Sequence, residues 1–241
     1  MPKVQWYRHF FEAQNHPLGY FAALYAKVSA SMEHAMADGR FHNPELFKKM
    51  DRYFAARYLQ AMDAYLHGKE TTEVWKVAIV AAEVDRIPVL FHLLAALNAH
   101  VNLDLPMASA DAAPGTEIHN FHQDFHTVNE ILFGLMETIQ NDLAEVFWPL
   151  RWWNRIMGRF DDRILRVGLF KARGLAWRQA VQLAEAGEKE SVRLSSQLDQ
   201  RFTEVAQRLV RPTRWWVRLS LRWMRARENG SVADKIARLW D

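Results

Sequence analysis

The chain has 241 residues, of which 50% are hydrophobic, 12% aromatic and 24% charged, and it contains no cysteine. That is enough apolar surface to bury a full core, which excludes a disordered protein, and the missing thiols exclude disulfides and cysteine-held zinc, haem or iron–sulfur centres. The net charge of +3 conceals a division, because residues 1–150 balance at −7 and residues 151–241 at +10, while all ten histidines lie at or before His126.

The opening residues, MPKVQWYRHFFEAQ, are charged and lack the apolar stretch of an export signal. No run of about 18 apolar residues follows, so a cytoplasmic protein is expected. An apolar-periodic run from Tyr20 to about Ala37, closed by Asp38-Gly39, predicts the first helix. Asn43-Pro44-Glu45 supplies an N-cap and a proline at the first helical position for a helix reaching His67-Gly68. Thr71-Thr72-Glu73 caps the next, which Pro88 ends or kinks before a second apolar run from Val89 to about Asn102. The stretch from Asp104-Leu105-Pro106 to Gly115 reads as a small-residue loop. A long helix is expected from about Glu117 to Phe147, then others over 161–186, 190–209, 213–227 and 231–239. Strict apolar/polar alternation is absent. The expectation is an all-α, single-domain bundle of about seven to nine helices with a Pro-kinked central helix. Residues 1–208 would form the bundle and 209–241 a basic, amphipathic C-terminal extension.

The chemistry concentrates in the helix after Pro88. At helical spacing Asp85, His92, Ala96 and His100 share one side, and Asp104 follows one turn later among Leu93, Leu94, Leu97 and Val101. Two imidazoles, Asn98, Asn102 and a carboxylate in so apolar a helix each cost a few kcal/mol if unpaired, so they need partners. Carbonyl partners and a C-cap would satisfy them without function. A polar pocket or a shared metal satisfies them together, and His100-x-x-x-Asp104 places nitrogen and oxygen ligands one turn apart, suited to zinc, iron or manganese. On the next long helix His119, His122, His126 and Glu130 fall on one face, and His126-x-x-x-Glu130 repeats that geometry. Two such helices facing a common interior would build a metal centre from His100, Asp104, His126 and Glu130.

Several segments resemble a bacterial family catalogued as domain of unknown function 5995. They are Asp38-Gly39-Arg40-Phe41 with Pro44-Glu45, Asp51-Arg52-Tyr53-Phe54 through Arg57-Tyr58, and Asp63-Ala64-Tyr65. The most specific is His92-Leu93-Leu94 with Asn98-Ala99-His100-Val101-Asn102-Leu103-Asp104-Leu105. Asp124-Phe125, Val128-Asn129, Ala172-Arg173 and Ala176-Trp177 extend the likeness across roughly residues 20–185. The resemblance implies an α-helical fold and supplies no activity. The two His/carboxylate pairs also resemble the metal-binding layout of zinc-dependent phospholipase C and P1-type nucleases. The chain departs from that pattern in having no histidine from Met107 to Ala113 and an internal Trp6 where those enzymes use an N-terminal tryptophan.

At the C-terminus Arg211, Arg214, Arg218, Arg222 and Arg225 form one cationic stripe, with Trp216, Val217, Ser220, Trp223 and Met224 opposite. Arginine with tryptophan on one helix is the composition of an interfacial binder of anionic membranes. No base-reading motif supports nucleic acid. If instead the tryptophans pack on the bundle, the arginines are only a solvated face.

These readings converge on a metal-dependent, hydrolase-like enzyme acting on a lipid or other hydrophobic substrate. Its site residues would be His92, His100, Asp104, Asn98 and Asp51, with Asp51, Asp85 or Glu130 as base. Two alternatives remain open: a non-haem iron oxygenase, for which the Glu-x-x-His signature is missing, and a binding protein for an apolar small molecule. Peripheral membrane attachment would accompany the lipid reading.

Overall fold

The computed structural model describes residues 2–146, 162–228 and 230–240, and every regular element among them is helical. In order these are α1 (Pro2–Ala13), α2 (Leu18–Ala37), α3 (Pro44–Leu66), α4 (Glu73–Ala82) and α5 (Val89–Ala99). A π-helical turn (His100–Asp104) joins α5 to α6 (Leu105–Ala112), and a 3-10 turn (Gly115–Phe121) leads into α7 (His122–Val146). Then come α8 (Asp162–Glu185), α9 (Glu188–Val210), α10 (Trp215–Arg225) and α11 (Val232–Trp240). The all-α bundle read from the sequence is the observed class. None of the described helices is long and apolar enough to cross a membrane.

Helix α2 is the axis of the fold. Leu18 to Ala26 are buried without interruption, so this segment is surrounded rather than one-sided. Helices α1, α5, α7 and α11 pack on it, and Lys27 reaches Asp142 of α7 at 2.7 Å. Gly19 lets two of those neighbours approach: a Cβ there would lie 2.3 Å from Cδ1 of Ile236 on α11 and 3.1 Å from Cβ of Phe11 on α1.

Three expectations change. Pro88 separates α4 from α5 instead of kinking one helix, because the backbone over 83–88 turns and Pro88 itself is extended. Asp85 therefore lies in the connection, off the stripe that starts at His92, and its carbonyl accepts from Arg225 Nε at 3.0 Å. Residues 105–112 form a helix rather than a loop. Their alanines favour it, and Pro106 falls in its first turn, where a missing N–H costs little. Pro106 also explains the π turn. Its ring would collide with the carbonyl four residues back in a regular helix, and the wider turn, in which Leu105 N–H bonds to His100 O, gives it room. Helix α1 is an element for which the reading of the first residues gave no expectation.

The C-terminal segment is clamped onto the bundle. Glu228, fully buried, accepts from Val89 N–H at 2.7 Å, from Lys235 Nζ at 3.0 Å and from Arg225 Nη1 at 3.2 Å. Arg225 is thereby withdrawn from the cationic stripe. Helix α11 buries Lys235, Ile236 and Leu239 against α1 and α2.

Filling the space at Gly19 tests this junction. Gly19→Val should destabilise the fold by about 1–3 kcal/mol through overpacking. The double variant Gly19→Val/Ile236→Ala should be less destabilised in urea titrations than the two single losses added, because both changes act on the same space.

Candidate functional site

The π turn sets His100 and Asp104 one above the other on the inner side of the α5–α6 helix, 3% and 2% exposed. Oδ2 of Asp104 accepts from His100 Nδ1 at 3.0 Å and from Trp75 Nε1 of α4 at 2.9 Å. A carboxylate oxygen can only accept, so the Nδ1 atom of His100 carries its proton and Nε2 carries the lone pair. Burial holds the imidazole below its usual pKa, with Asp104 partly opposing, and the ring is neutral at physiological pH.

Aromatic rings enclose the imidazole. Phe54 of α3 stacks on it at 3.7 Å between centroids and 14° between planes, and Tyr25 meets it edge-on at 4.6 Å. Phe21 lies at 5.4 Å and Tyr58 at 6.0 Å. His100 Nε2 and the hydroxyls of Tyr25 and Tyr58 are buried and have no hydrogen-bonding partner among the described residues. Buried polar atoms are rarely left so, and each costs about 1–3 kcal/mol. Burial raises both tyrosine pKa values well above 10, so the hydroxyls stay protonated donors. One base and two donors thus belong to three rings that pack on one another. Asp51, on α3 one turn before Phe54, adds a carboxyl lifted to about 6 by burial and by Glu33, and its charge acts on Tyr25.

His92 stands two turns away. Its Nε2–H donates to Ile87 O at 3.0 Å, which leaves Nδ1 as a buried acceptor without a partner among the described residues. The ring lines a cavity of about 10 Å³ with Pro17, Leu18, Phe21, Ala78, Ala82 and Ala96, room for one water. Phe21 contributes to this cavity and also flanks His100, so it stands between the two histidines. Asn98 is committed elsewhere: its amide donates to Phe202 O of α9 at 2.9 Å and its oxygen accepts from Asn102 at 3.1 Å. It ties α5 to α9 rather than addressing the imidazole.

The four expected metal ligands do not converge. His126 and Glu130 are exposed whereas His100 and Asp104 are buried, and among the described residues no group of three His, Asp or Glu side chains is arranged to hold a metal. His126 meets His122 at 3.2 Å between Nε2 atoms, Glu130 faces Arg40 at 3.9 Å, and His119 pairs with Glu185 at 3.0 Å. The physical reason is that α7 turns Phe125, Val128 and Ile131 to the core, which places the histidine stripe on the opposite, wet face. The layout resembling phospholipase C and P1-type nucleases is therefore not assembled.

Sequence reasoning missed Trp75, Tyr25, Tyr58 and Phe54. A tryptophan and tyrosines in apolar helices read as core, and only the tertiary fold brings Trp75 to Asp104. Two signals were available: indole N–H and phenol O–H groups need partners when buried, and Phe54 and Tyr58 lie in segments that carry the family resemblance.

His92 yields a pH prediction. Burial lowers its pKa from 6.5 to about 4, so on acidification the unfolded chain takes up a proton that the folded chain refuses. The stability it confers is full above 6.5 and is lost as pH falls toward 4. His92→Gln keeps a donor for Ile87 O and cannot titrate. Its stability relative to wild type should improve by about 2 kcal/mol between about pH 7 and about pH 4.5, read from urea unfolding at the two pH values.

Neither a curated protein nor a solved structure matches the chain. A family model does, over residues 5–212, a span that contains the π turn, the His100–Asp104 pair and every ring around it. The chain belongs to this family, the family of unknown function DUF5995.

Proposed function

We propose that the protein is an enzyme of the hydrolase type, with His100 as general base and a small substrate of hydrophobic body as its target. The observation that carries this reading is the buried, unpartnered Nε2 of a neutral imidazole whose other nitrogen is held by Asp104. Nε2 would take a proton from water as the water oxygen attacks, and the imidazolium would return it to the leaving group, stabilised meanwhile by Asp104. The Tyr25 and Tyr58 hydroxyls would donate to the oxygen on which negative charge develops, where low dielectric makes such bonds strong. Phe21 and Phe54 would contact the apolar body. Asp51 would serve as a second proton carrier near neutral pH, as its raised pKa allows.

The closed aromatic enclosure favours one further reading, a binding protein that holds the polar end of an apolar ligand on Nε2 and the two hydroxyls. Both readings need a small molecule at His100, and they part on turnover.

Two measurements test the proposal. Nitrogen-15 NMR of the imidazoles should place His100 in the neutral Nδ1–H tautomer at neutral pH, with a pKa below that of a free imidazole. A panel of carboxylic and phosphoric esters with graded alkyl chains should reveal hydrolysis that falls at least about a hundredfold in His100→Gln and in Asp104→Asn, with both variants folded. Turnover that survives both substitutions sinks the proposal. Ligand-induced thermal shifts that need His100 but come with no product would establish the binding reading instead.

A further inference from the structure

Helix α10 turns its largest apolar side chains outward. Trp215, Leu219 and Trp216 are 70%, 58% and 51% exposed, while Leu221 is buried and Val217 and Met224 are half-buried toward the bundle. At 3.6 residues per turn Trp215, Leu219, Trp223 (47% exposed) and Trp216 share one side, with Arg218 and Arg222 along its edge. Arg211 and Arg214 precede the helix. All four arginines are exposed, and none pairs with a carboxylate among the described residues. The sequence reading set Trp216 and Trp223 opposite the arginine stripe, with packing on the bundle as the alternative; the structure leaves both tryptophans exposed. The inner side is fixed by Leu221 and by Arg225, which binds Asp85 O and Glu228, so the aromatic side is held toward solvent.

We infer that this face of α10 docks on the surface of an anionic lipid bilayer. Single exposed apolar residues are ordinary, but four large ones on one helical face beside a row of cations are not. Indole rings partition to the level of the headgroups, and a helix of this kind lies in the plane of the interface with its apolar side sunk among the first acyl carbons. The arginines then meet lipid phosphates, each contributing roughly a fivefold gain in affinity. A nucleic-acid duplex would engage the arginines and leave Trp215 and Leu219 in water, so it fits only part of the face. The inference stands independently of the chemistry at His100.

Co-sedimentation of the full chain with vesicles tests it. Vesicles containing about a third phosphatidylglycerol should pellet the protein, pure phosphatidylcholine vesicles should not, and added salt should weaken the association. Arg214→Glu/Arg218→Glu/Arg222→Glu should lower affinity at least about a hundredfold, and the matching Lys variant should retain most of it. Trp215→Ser/Leu219→Ser should cost at least about tenfold. These side chains are exposed, so the circular dichroism and Tm of each variant should match wild type. The inference is overturned by failure to bind anionic vesicles or by binding indifferent to either set of changes. Tight binding of a DNA or RNA oligonucleotide that needs the arginines but not Trp215 and Leu219, with no vesicle binding, overturns it equally.

Discussion

A carboxylate lies almost out of reach of water in the middle of this bundle, and much else in the fold follows from keeping it there. Burying the Asp104 charge among apolar helices costs several kcal/mol unless strong donors meet it. The donors come from its own turn, His100, and from another helix, Trp75. Hydrophobic burial presses helices together without direction, whereas a hydrogen bond at 2.9 Å fixes how α4 is rotated against the π turn. The bond from His100 to the same oxygen decides which nitrogen of His100 is a base. Structure and reactivity here share one pair of hydrogen bonds.

Helix starts in this protein are held by carboxylates from far along the chain. Asp124 of α7 accepts from the backbone N–H groups of His42 and Asn43 at 2.6 and 2.8 Å, just where α3 begins. Asp199 of α9 accepts from Glu73 and Val74 at the first turn of α4, both at 2.9 Å, while the adjacent Thr72 makes no capping bond. Glu228 does the same for α5 at Val89. A negative charge at a helix N-terminus is favoured by the unpaired N–H groups and by the helix dipole. Placing those charges far along the chain makes each cap a tertiary contact. The starts of α3, α4 and α5 are thereby each tied to a different distant part of the chain.

The class of fold and most helix ends were legible because Asn43-Pro44, Asp38-Gly39 and Pro88 act through local backbone chemistry. The polar character of the His92–Asp104 helix was legible too, since imidazole and carboxylate stand out among Leu and Ala. What could not be read was which face meets which neighbour. Periodicity put His126 and Glu130 on one stripe correctly, but nothing local says that Phe125 and Val128 win the interior and send that stripe to solvent. The helix over 105–112 was hidden because a proline in a first turn and a proline in a loop look alike in one dimension. Trp75 lies 29 residues from Asp104, beyond any helical spacing rule.

The π turn carries a consequence for how this family can vary. It accommodates one residue more than an α-helical turn would, and each residue rotates a helix by about 100°. A relative lacking one position between His100 and Asp104 would swing α6 by that amount. Leu105, Ala108 and Ala112 would then face away from the partners that bury them, and Pro106 would regain its collision with the preceding turn. Aligned relatives should therefore be free of gaps across these five positions, even where the flanking connections differ in length. The spacing is thus a marker by which chains that preserve the buried pair can be sorted from those that have abandoned it.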